Sequence, residues 1–138
     1  MSASIKVLIV EERDMLREKI AGILSREKNI TMVIQMSSYT KIKTALGETI
    51  PDLILGDIFQ FNKFSKEKGI TAAQLCPRSN ILLYTDEYRQ LNRIEVGHPG
   101  EQKIFNVRRV QQEVKNFIKK RSGENKATTN KAATSKKE

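Results

Sequence analysis

One stretch constrains the fold of this chain more than any other: residues 51–58, which read Pro-Asp-Leu-Ile-Leu-Gly-Asp-Ile. A short apolar run bounded by turn residues is typical of a buried β-strand. The run closes on a carboxylate, Asp57. Open parallel α/β sheets bind ligands at the carboxyl ends of their strands, so Asp57 would be placed there for chemistry or metal binding. The simpler alternative is that Asp57 only caps the loop that follows.

Two other apolar runs bring polar side chains to the same edge of the expected sheet. Residues 5–10 are followed at once by Glu11 and Glu12, and residues 81–84 are followed by Thr85. Carboxylates that converge at one edge repel one another unless a hard cation lies among them. Mg²⁺ suits such a place, because it binds few carboxylates together with waters and a phosphate. The pattern therefore points to a metal-dependent phosphate site.

Strand and helix patterns alternate five times along the chain. We predict strands near 5–10, 31–36, 53–57, 81–85 and 103–105, and helices near 14–28, 39–46, 65–76, 87–95 and 107–118. Asp14 is a plausible N-cap of the first helix and Asn106 of the last one. Residues 59–64 are expected to form a long irregular segment before the third helix. Such alternation predicts a parallel sheet with helices on both faces.

Composition bounds the class of protein. The chain has 138 residues, 38% hydrophobic and 30% charged, which suits one globular domain. The single Cys excludes an internal disulfide framework and fits a reducing compartment. No apolar run is long enough to span a bilayer, and the start leads directly into a strand without a signal-peptide pattern. We therefore expect a cytoplasmic protein with no membrane association.

The positive charge is concentrated at the C-terminal end. Residues 119–138 carry seven Lys or Arg and two Glu, so their net charge is +5 of the +9 of the whole chain. Beyond Gly123 this segment has no aromatic or large aliphatic residue, which predicts disorder. We divide the chain into a domain of residues 1–121 and a disordered basic tail of residues 122–138. The tail could attract nucleic acid or acidic lipid, but we favour a solubilising or linker role.

Three segments, residues 6–12, 51–58 and 80–85, resemble the receiver domain of two-component response regulators, the CheY-like family. The resemblance covers residues 5–120 and implies a flavodoxin-like, doubly wound, five-stranded parallel sheet in the order 2-1-3-4-5. By this resemblance, Asp57 is the phosphoacceptor and Thr85 is the switch hydroxyl. Glu11, Glu12 and Asp57 would hold Mg²⁺. An Asp carboxylate is a competent nucleophile for forming an acyl phosphate.

The sequence also departs from the receiver pattern. Receivers carry a Lys at the end of the fifth strand, whereas Asn106 stands there and cannot supply a cation. Lys103 takes the place of an aromatic switch residue, and Glu12 replaces the usual Asp. Asp86 stands where a small residue is usual, and Gly56 where a bulky apolar one is expected. We therefore expect Mg²⁺ binding to be weak or absent.

Two interpretations follow. Our working hypothesis is a receiver in a phosphorelay whose Asp57 is phosphorylated with impaired Mg²⁺ dependence. The alternative is a pseudo-receiver, a docking module that no longer depends on phosphate. Binding of a flavin or nucleotide phosphate is disfavoured, because the acidic loop at residues 11–14 would repel a phosphate. Cys76 and His98 are too few for a structural zinc site, and no nucleophile elbow of a hydrolase is present.

The expected partners follow from the resemblance alone. A histidine kinase or phosphotransfer protein would act on the domain, which would have no enzymatic activity of its own. A downstream protein would bind the face formed by the helix after the fourth strand, the fifth strand and the last helix. The basic character of this face suggests an acidic partner, unless the face is merely solvated. The tail is too short to fold as a DNA-binding domain. The residues of that face are Tyr88, Arg89, Arg93, Lys103, Arg108, Arg109 and Gln112.

Overall fold

The protein is described by a computed structural model covering the backbone of residues 4–85 and 103–134, with side chains for residues 4–85 and 104–122. The described residues form five strands, with helices after the first, second, third and fifth of them. The strands are β1 (Ile5–Val10), β2 (Ile30–Met36), β3 (Leu53–Asp57), β4 (Asn80–Thr85) and β5 (Lys103–Asn106). The helices are α1 (Asp14–Ser25), α2 (Ile42–Glu48), α3 (Ile58–Lys68), α4 (Ala72–Leu75) and α5 (Val110–Thr134), and a 3-10 turn, Val107–Arg109, precedes α5.

The five strands form one parallel sheet in the order β2-β1-β3-β4-β5. This confirms the predicted flavodoxin-like topology. The register aligns the carboxyl ends of the central strands. Val10 lies opposite Gly56, Asp57 lies opposite Tyr84, and Thr85 lies opposite Asn106.

The central strands β1 and β3 are buried on both faces of the sheet, which explains why they are nearly continuous apolar runs. Successive strand residues point to opposite faces, so β1 sends Val7 and Ile9 to one core and Leu8 and Val10 to the other. The first core is covered by residues of α1 and α5, and the second by residues of α2, α3 and α4. Helices therefore cover both faces, as predicted.

The last helix contacts the amino-terminal edge of the sheet through Asp52. Asp52, just before β3, accepts a hydrogen bond from the Lys6 backbone N–H at 2.8 Å and one from Arg121 Nη2 at 2.6 Å. Arg121 also lies 5.8 Å from the centre of the Phe117 ring. The side chains of Asp52 and Arg121 are partly exposed, so their ion pair is weak. The contact nevertheless gives α5 a defined position against β1 and β3.

The prediction of an irregular segment at residues 59–64 is wrong. The structure starts α3 at Ile58, directly after β3, and ends it at Gly69, whose φ of 62° is readily accessible to glycine. Ile58 and Phe61, three residues apart, are the buried residues of α3. The single helix predicted over 65–76 is instead the end of α3 followed by α4. Thr71 and Gln74 form a capping box that starts α4.

The structure assigns α5 as helical to Thr134, and the expected disorder after Gly123 stays a prediction. Extending an existing helix needs no new nucleus, and this segment contains Ala, Lys and Glu but no Pro. The division into a domain of residues 1–121 and a separate tail of 122–138 stays a prediction. The helix predicted at 87–95 lies outside the described residues. Within the described part of the chain, no helix is both long and apolar enough to cross a bilayer.

Candidate functional site

The carboxyl edge of the sheet brings together three of the four predicted site residues. Glu11 follows β1, and Asp57 and Thr85 end β3 and β4. All three are buried polar residues: Glu11 and Thr85 are 0% exposed and Asp57 is 8% exposed. The parallel register causes this proximity, because Val10 and Gly56 are paired and the next residue of each strand is a carboxylate. The candidate site lies at this edge.

A guanidinium group lies between the two buried carboxylates. Arg13 Nε donates to Glu11 Oε2 at 2.8 Å, and Arg13 Nη2 donates to Glu11 Oε1 at 3.2 Å. The same Nη2 donates to Asp57 Oδ1 at 3.3 Å. Arg13 is the residue before α1, so Asp14 is the first helical residue rather than the cap that the sequence suggests. The site thus holds a cation supplied by its own chain.

Glu11 is also bound from beneath by a tyrosine. Tyr84 Oη donates to Glu11 Oε1 at 2.6 Å, and both residues are 0% exposed. Burial raises the pKa of the Glu11 carboxyl, but the hydrogen bonds from Arg13 and Tyr84 outweigh it, so the pKa lies below the usual 4.5. Burial and the bond to Glu11 raise the pKa of Tyr84. Glu11 is therefore a carboxylate and Tyr84 a neutral donor at neutral pH.

Asp57 begins α3. Its backbone is extended, with φ −77° and ψ 134°, and its Oδ2 accepts the Gln60 backbone N–H at 2.9 Å. This is the geometry of a helix N-cap, which satisfies one of the unpaired amides of the first turn. One carboxylate oxygen thus serves the helix and the other faces Arg13. The simpler sequence interpretation of Asp57 as a cap holds, although it caps a helix rather than a loop.

Glu12, the fourth predicted site residue, is exposed. Its backbone N–H donates to Gln60 Oε1 at 3.2 Å, and Gln60 Nε2 donates to the Ser37 carbonyl at 2.9 Å. Among residues 4–85 and 103–134, no group of three or more His, Cys, Asp and Glu side chains is placed to hold a metal ion. The assignment of Glu11, Glu12 and Asp57 as Mg²⁺ ligands stays a prediction.

Solved structures of receiver domains share this architecture. The receiver domain of AraT, a response regulator from Geobacillus stearothermophilus, matches with a TM-score of 0.57 and 18% identity, covering 88% of this chain and 98% of that one. The N-terminal domain of an uncharacterized protein from Wolinella succinogenes matches with a TM-score of 0.54 and 18% identity, covering 87% and 98%. A LuxR-family DNA-binding response regulator from Staphylococcus aureus matches with a TM-score of 0.54 and 12% identity, covering 83% and 97%.

The chain has the receiver-domain fold. No protein-family model matches the sequence, and no curated protein matches it. The likeness in fold therefore stands beside low sequence identity, and the chemistry of this site has to be argued from its own residues.

In this receiver fold, the position of the family's lysine is occupied by a capping residue. Asn106 ends β5 opposite Thr85, at the strand end where the resemblance to receivers leads one to expect a lysine. Its Oδ1 accepts the Arg108 backbone N–H at 2.9 Å, which starts the 3-10 turn that leads into α5. Asn106 thus caps the 3-10 turn that precedes α5, whereas the prediction was a cap of the last helix itself. The amide carries no charge, so it does not replace the lysine electrostatically.

A buried tyrosine explains the glycine that precedes Asp57. A Cβ on Gly56 would lie 2.7 Å from Tyr39 Oη and 3.1 Å from the Val10 carbonyl oxygen. Tyr39 packs against Phe61 and Phe64, with ring centres 5.6 and 5.1 Å apart. Its hydroxyl has no hydrogen-bond partner among the described residues, and burial raises its pKa. The ring of Tyr39, from the segment between β2 and α2, thus lies where a bulky side chain at position 56 of β3 would otherwise lie.

Sequence reasoning missed Arg13, Tyr84 and Gln60 as members of the site. The one available signal was electrostatic: two adjacent buried acids need a counter-cation, and Arg13 is the cationic residue nearest to Glu11 in the sequence. The partner-face residues Tyr88, Arg89 and Arg93 lie outside the described residues.

Proposed function

We propose that this chain is a signalling module of the receiver fold that works through protein contacts and does not depend on phosphorylation of Asp57. This is the pseudo-receiver alternative. The observation that carries it is the double engagement of the Asp57 carboxylate. Oδ2 accepts the Gln60 N–H at 2.9 Å, and Oδ1 accepts from Arg13 at 3.3 Å.

Both oxygens of the Asp57 carboxylate, the nucleophile in any phosphorylation, already accept hydrogen bonds. An acyl phosphate forms when a carboxylate oxygen attacks phosphorus in line with the leaving group. An attack by Oδ2 would cost α3 its N-cap, a contribution of about 1 kcal/mol. An attack by Oδ1 would require Arg13 to move, and the Asp57 side chain is only 11% exposed. Either route starts from a carboxylate held in another role.

The charges around Asp57 also disfavour its phosphorylation. Phosphoryl transfer depends mainly on positioning and on neutralising the phosphoryl oxygens. A phosphorylated Asp57 would carry nearly two negative charges beside the buried carboxylate of Glu11. Asn106 supplies no positive charge at the strand opposite, and Arg13 is already shared by two carboxylates. These conditions disfavour a stable phosphorylated state.

A second candidate is slow phosphorylation of Asp57 by a histidine kinase or phosphotransfer protein. It is favoured by the neighbouring buried positions of Asp57 and Thr85 at the ends of β3 and β4. In that case the domain would be a receiver with impaired Mg²⁺-dependent chemistry, and Thr85 would be its switch hydroxyl.

The partner surface in this proposal is the start of α5 together with β5. Arg108, Arg109 and Gln112 are exposed. Arg109 forms an ion pair at 3.5 Å with the buried Glu113, while Lys115 is paired at 3.6 Å with Glu27, which lies between α1 and β2. An acidic protein surface complements this face, and its binding should weaken with salt.

The test is a titration of the full chain with acetyl phosphate or beryllofluoride in the presence of MgCl₂, followed by amide NMR and intact-protein mass spectrometry. We expect unchanged spectra and no phosphoprotein. The control is Asp57→Asn, which keeps a side-chain acceptor but cannot form the acyl phosphate. Amide shifts at β4 and β5 that occur in the wild type and disappear in Asp57→Asn would support the second candidate and contradict the first.

A further inference from the structure

We infer that the guanidinium of Arg13 takes the place of the divalent cation at the acidic edge of this receiver fold, so that the wild-type site does not bind Mg²⁺. The inference rests on the proposed function as far as its role in signalling is concerned. Metal binding can nevertheless be measured without any kinase or phosphate.

The Glu11 carboxylate has no acceptor site left for a metal. Its Oε2 accepts Arg13 Nε at 2.8 Å and the Arg13 backbone N–H at 2.9 Å. Its Oε1 accepts Tyr84 Oη at 2.6 Å and Arg13 Nη2 at 3.2 Å. An ionised carboxylate offers about four lone-pair positions, and four donors occupy them. A cation could reach this fully buried group only by displacing one of them.

The position between the two carboxylates is also taken. Arg13 Nη2 lies 3.2 Å from Glu11 Oε1 and 3.3 Å from Asp57 Oδ1. A Mg²⁺ ion that bridged these oxygens would lie about 2.1 Å from each, in space that overlaps this nitrogen. The guanidinium and the ion therefore exclude each other.

The remaining donor set does not compensate. Asp57 Oδ2 caps α3 through the Gln60 N–H, and Glu12 is exposed. No metal-binding group of three acids, His or Cys exists among residues 4–85 and 103–134. Arg keeps its charge at every accessible pH, so the positive charge of Arg13 does not depend on the concentration of a metal.

The test compares Arg13→Ala with the matched control Arg17→Ala. Arg17 carries the same charge four residues later, but its guanidinium donates to the Glu11 backbone carbonyl at 2.8 Å and to Asp14 at 2.7 Å rather than to the site carboxylates. We titrate MgCl₂ against melting temperature at constant ionic strength. Mn²⁺-induced broadening of amide signals near β1 and β3 provides the second readout.

We expect no divalent-specific effect in the wild type or in Arg17→Ala. In Arg13→Ala the apparent affinity for Mg²⁺ should rise at least about tenfold, because a unit positive charge next to two carboxylates is removed. Arg13→Lys keeps the charge on a single nitrogen and should lie between the two. It also serves if Arg13→Ala does not fold.

Mg²⁺-specific stabilisation or site-localised Mn²⁺ broadening in the wild type would overturn the inference, even if Asp57 is never phosphorylated. A folded Arg13→Ala that gains no divalent affinity would overturn it as well. Phosphorylation of Asp57 without detectable Mg²⁺ binding would instead overturn the proposed function and leave this inference standing.

Discussion

Replacing Tyr84 by phenylalanine removes one hydroxyl from the centre of the candidate site. Tyr84 Oη donates to Glu11 Oε1 at 2.6 Å, and both residues are 0% exposed. A hydrogen bond to a charged acceptor contributes about 1.5–3 kcal/mol. We therefore expect Tyr84→Phe to lower the free energy of unfolding by about 2 kcal/mol at neutral pH. For a domain of this size, that is a fall in melting temperature of about 6–10 °C.

The loss should depend on pH in a defined direction. Burial raises the pKa of Glu11, yet the hydrogen bonds that include Tyr84 bring it below 4.5 in the folded protein. A folded-state pKa that is depressed contributes stability above the unfolded pKa, and this contribution disappears as pH falls through the folded value. Without the Tyr84 hydroxyl the depression is smaller. The difference in stability between variant and wild type should therefore shrink as pH falls below 4.5.

The matched control is Tyr39→Phe, the same chemical change at a second buried tyrosine. Tyr39 Oη has no hydrogen-bond partner among the described residues, so its removal should be neutral or raise stability by about 1 kcal/mol. Urea unfolding followed by far-UV circular dichroism at pH 7 and at acid pH measures both variants. Equal losses in the two variants, or a Tyr84→Phe loss that does not shrink in acid, would refute this reasoning.

The other predictions concern the residues beside this pair. Asp57→Asn retains a capping oxygen, so its free energy of unfolding should stay within about 0.5 kcal/mol of wild type, whereas that of Asp57→Ala should fall by about 1 kcal/mol. Equal stability of these two variants in urea unfolding would exclude the capping role. Gly56→Ala should cost about 1–3 kcal/mol, because its Cβ would lie 2.7 Å from Tyr39 Oη. In a protein that also carries Tyr39→Phe, Gly56→Ala should lower the stability by less, because the Tyr39 hydroxyl is gone. Strict additivity of the two changes in a double-mutant cycle would show that this hydroxyl does not cause the cost.

The central strands β1 and β3 could be predicted because they are buried on both faces of the sheet. β1 is predicted with the bounds Ile5–Val10 that the structure gives, since every residue except Lys6 is apolar and fully buried. The parallel order of the strands follows from the alternation with helices and from the resemblance to receivers. The meeting of Glu11, Asp57 and Thr85 at one edge follows from that order alone.

The start of α3 could not be predicted in the same way. Asp57 is both the last residue of β3 and the N-cap of α3, so the turn residues that normally mark such a boundary are missing. The apolar pattern of the new helix is also brief, with Ile58 and Phe61 as its buried positions. A rule that looks for a loop between elements places one where none exists.

The role of Arg13 was hidden for a different reason. The sequence gives its position beside Glu11, but a long side chain can reach solvent or the site with little difference in local propensity. Only the pairing of β1 with β3 brings Glu11, which follows β1, close to Asp57, and these two carboxylates attract the guanidinium. Contacts between residues 13 and 57 depend on tertiary structure, and no local pattern reports them.

The partly exposed contact between Arg121 and Asp52 is the point about which α5 would tilt, its fulcrum. Arg121 is held at 2.6 Å by Asp52, immediately before the strand that ends on Asp57. From Arg121 to Thr134 the helix continues for about 20 Å at its usual rise per residue. A tilt of about 5° at the fulcrum would therefore move the backbone at Thr134 by nearly 2 Å. A small rearrangement of β3 would be magnified at that distance, so a spin label or fluorophore placed there would read motions too small to detect at the site.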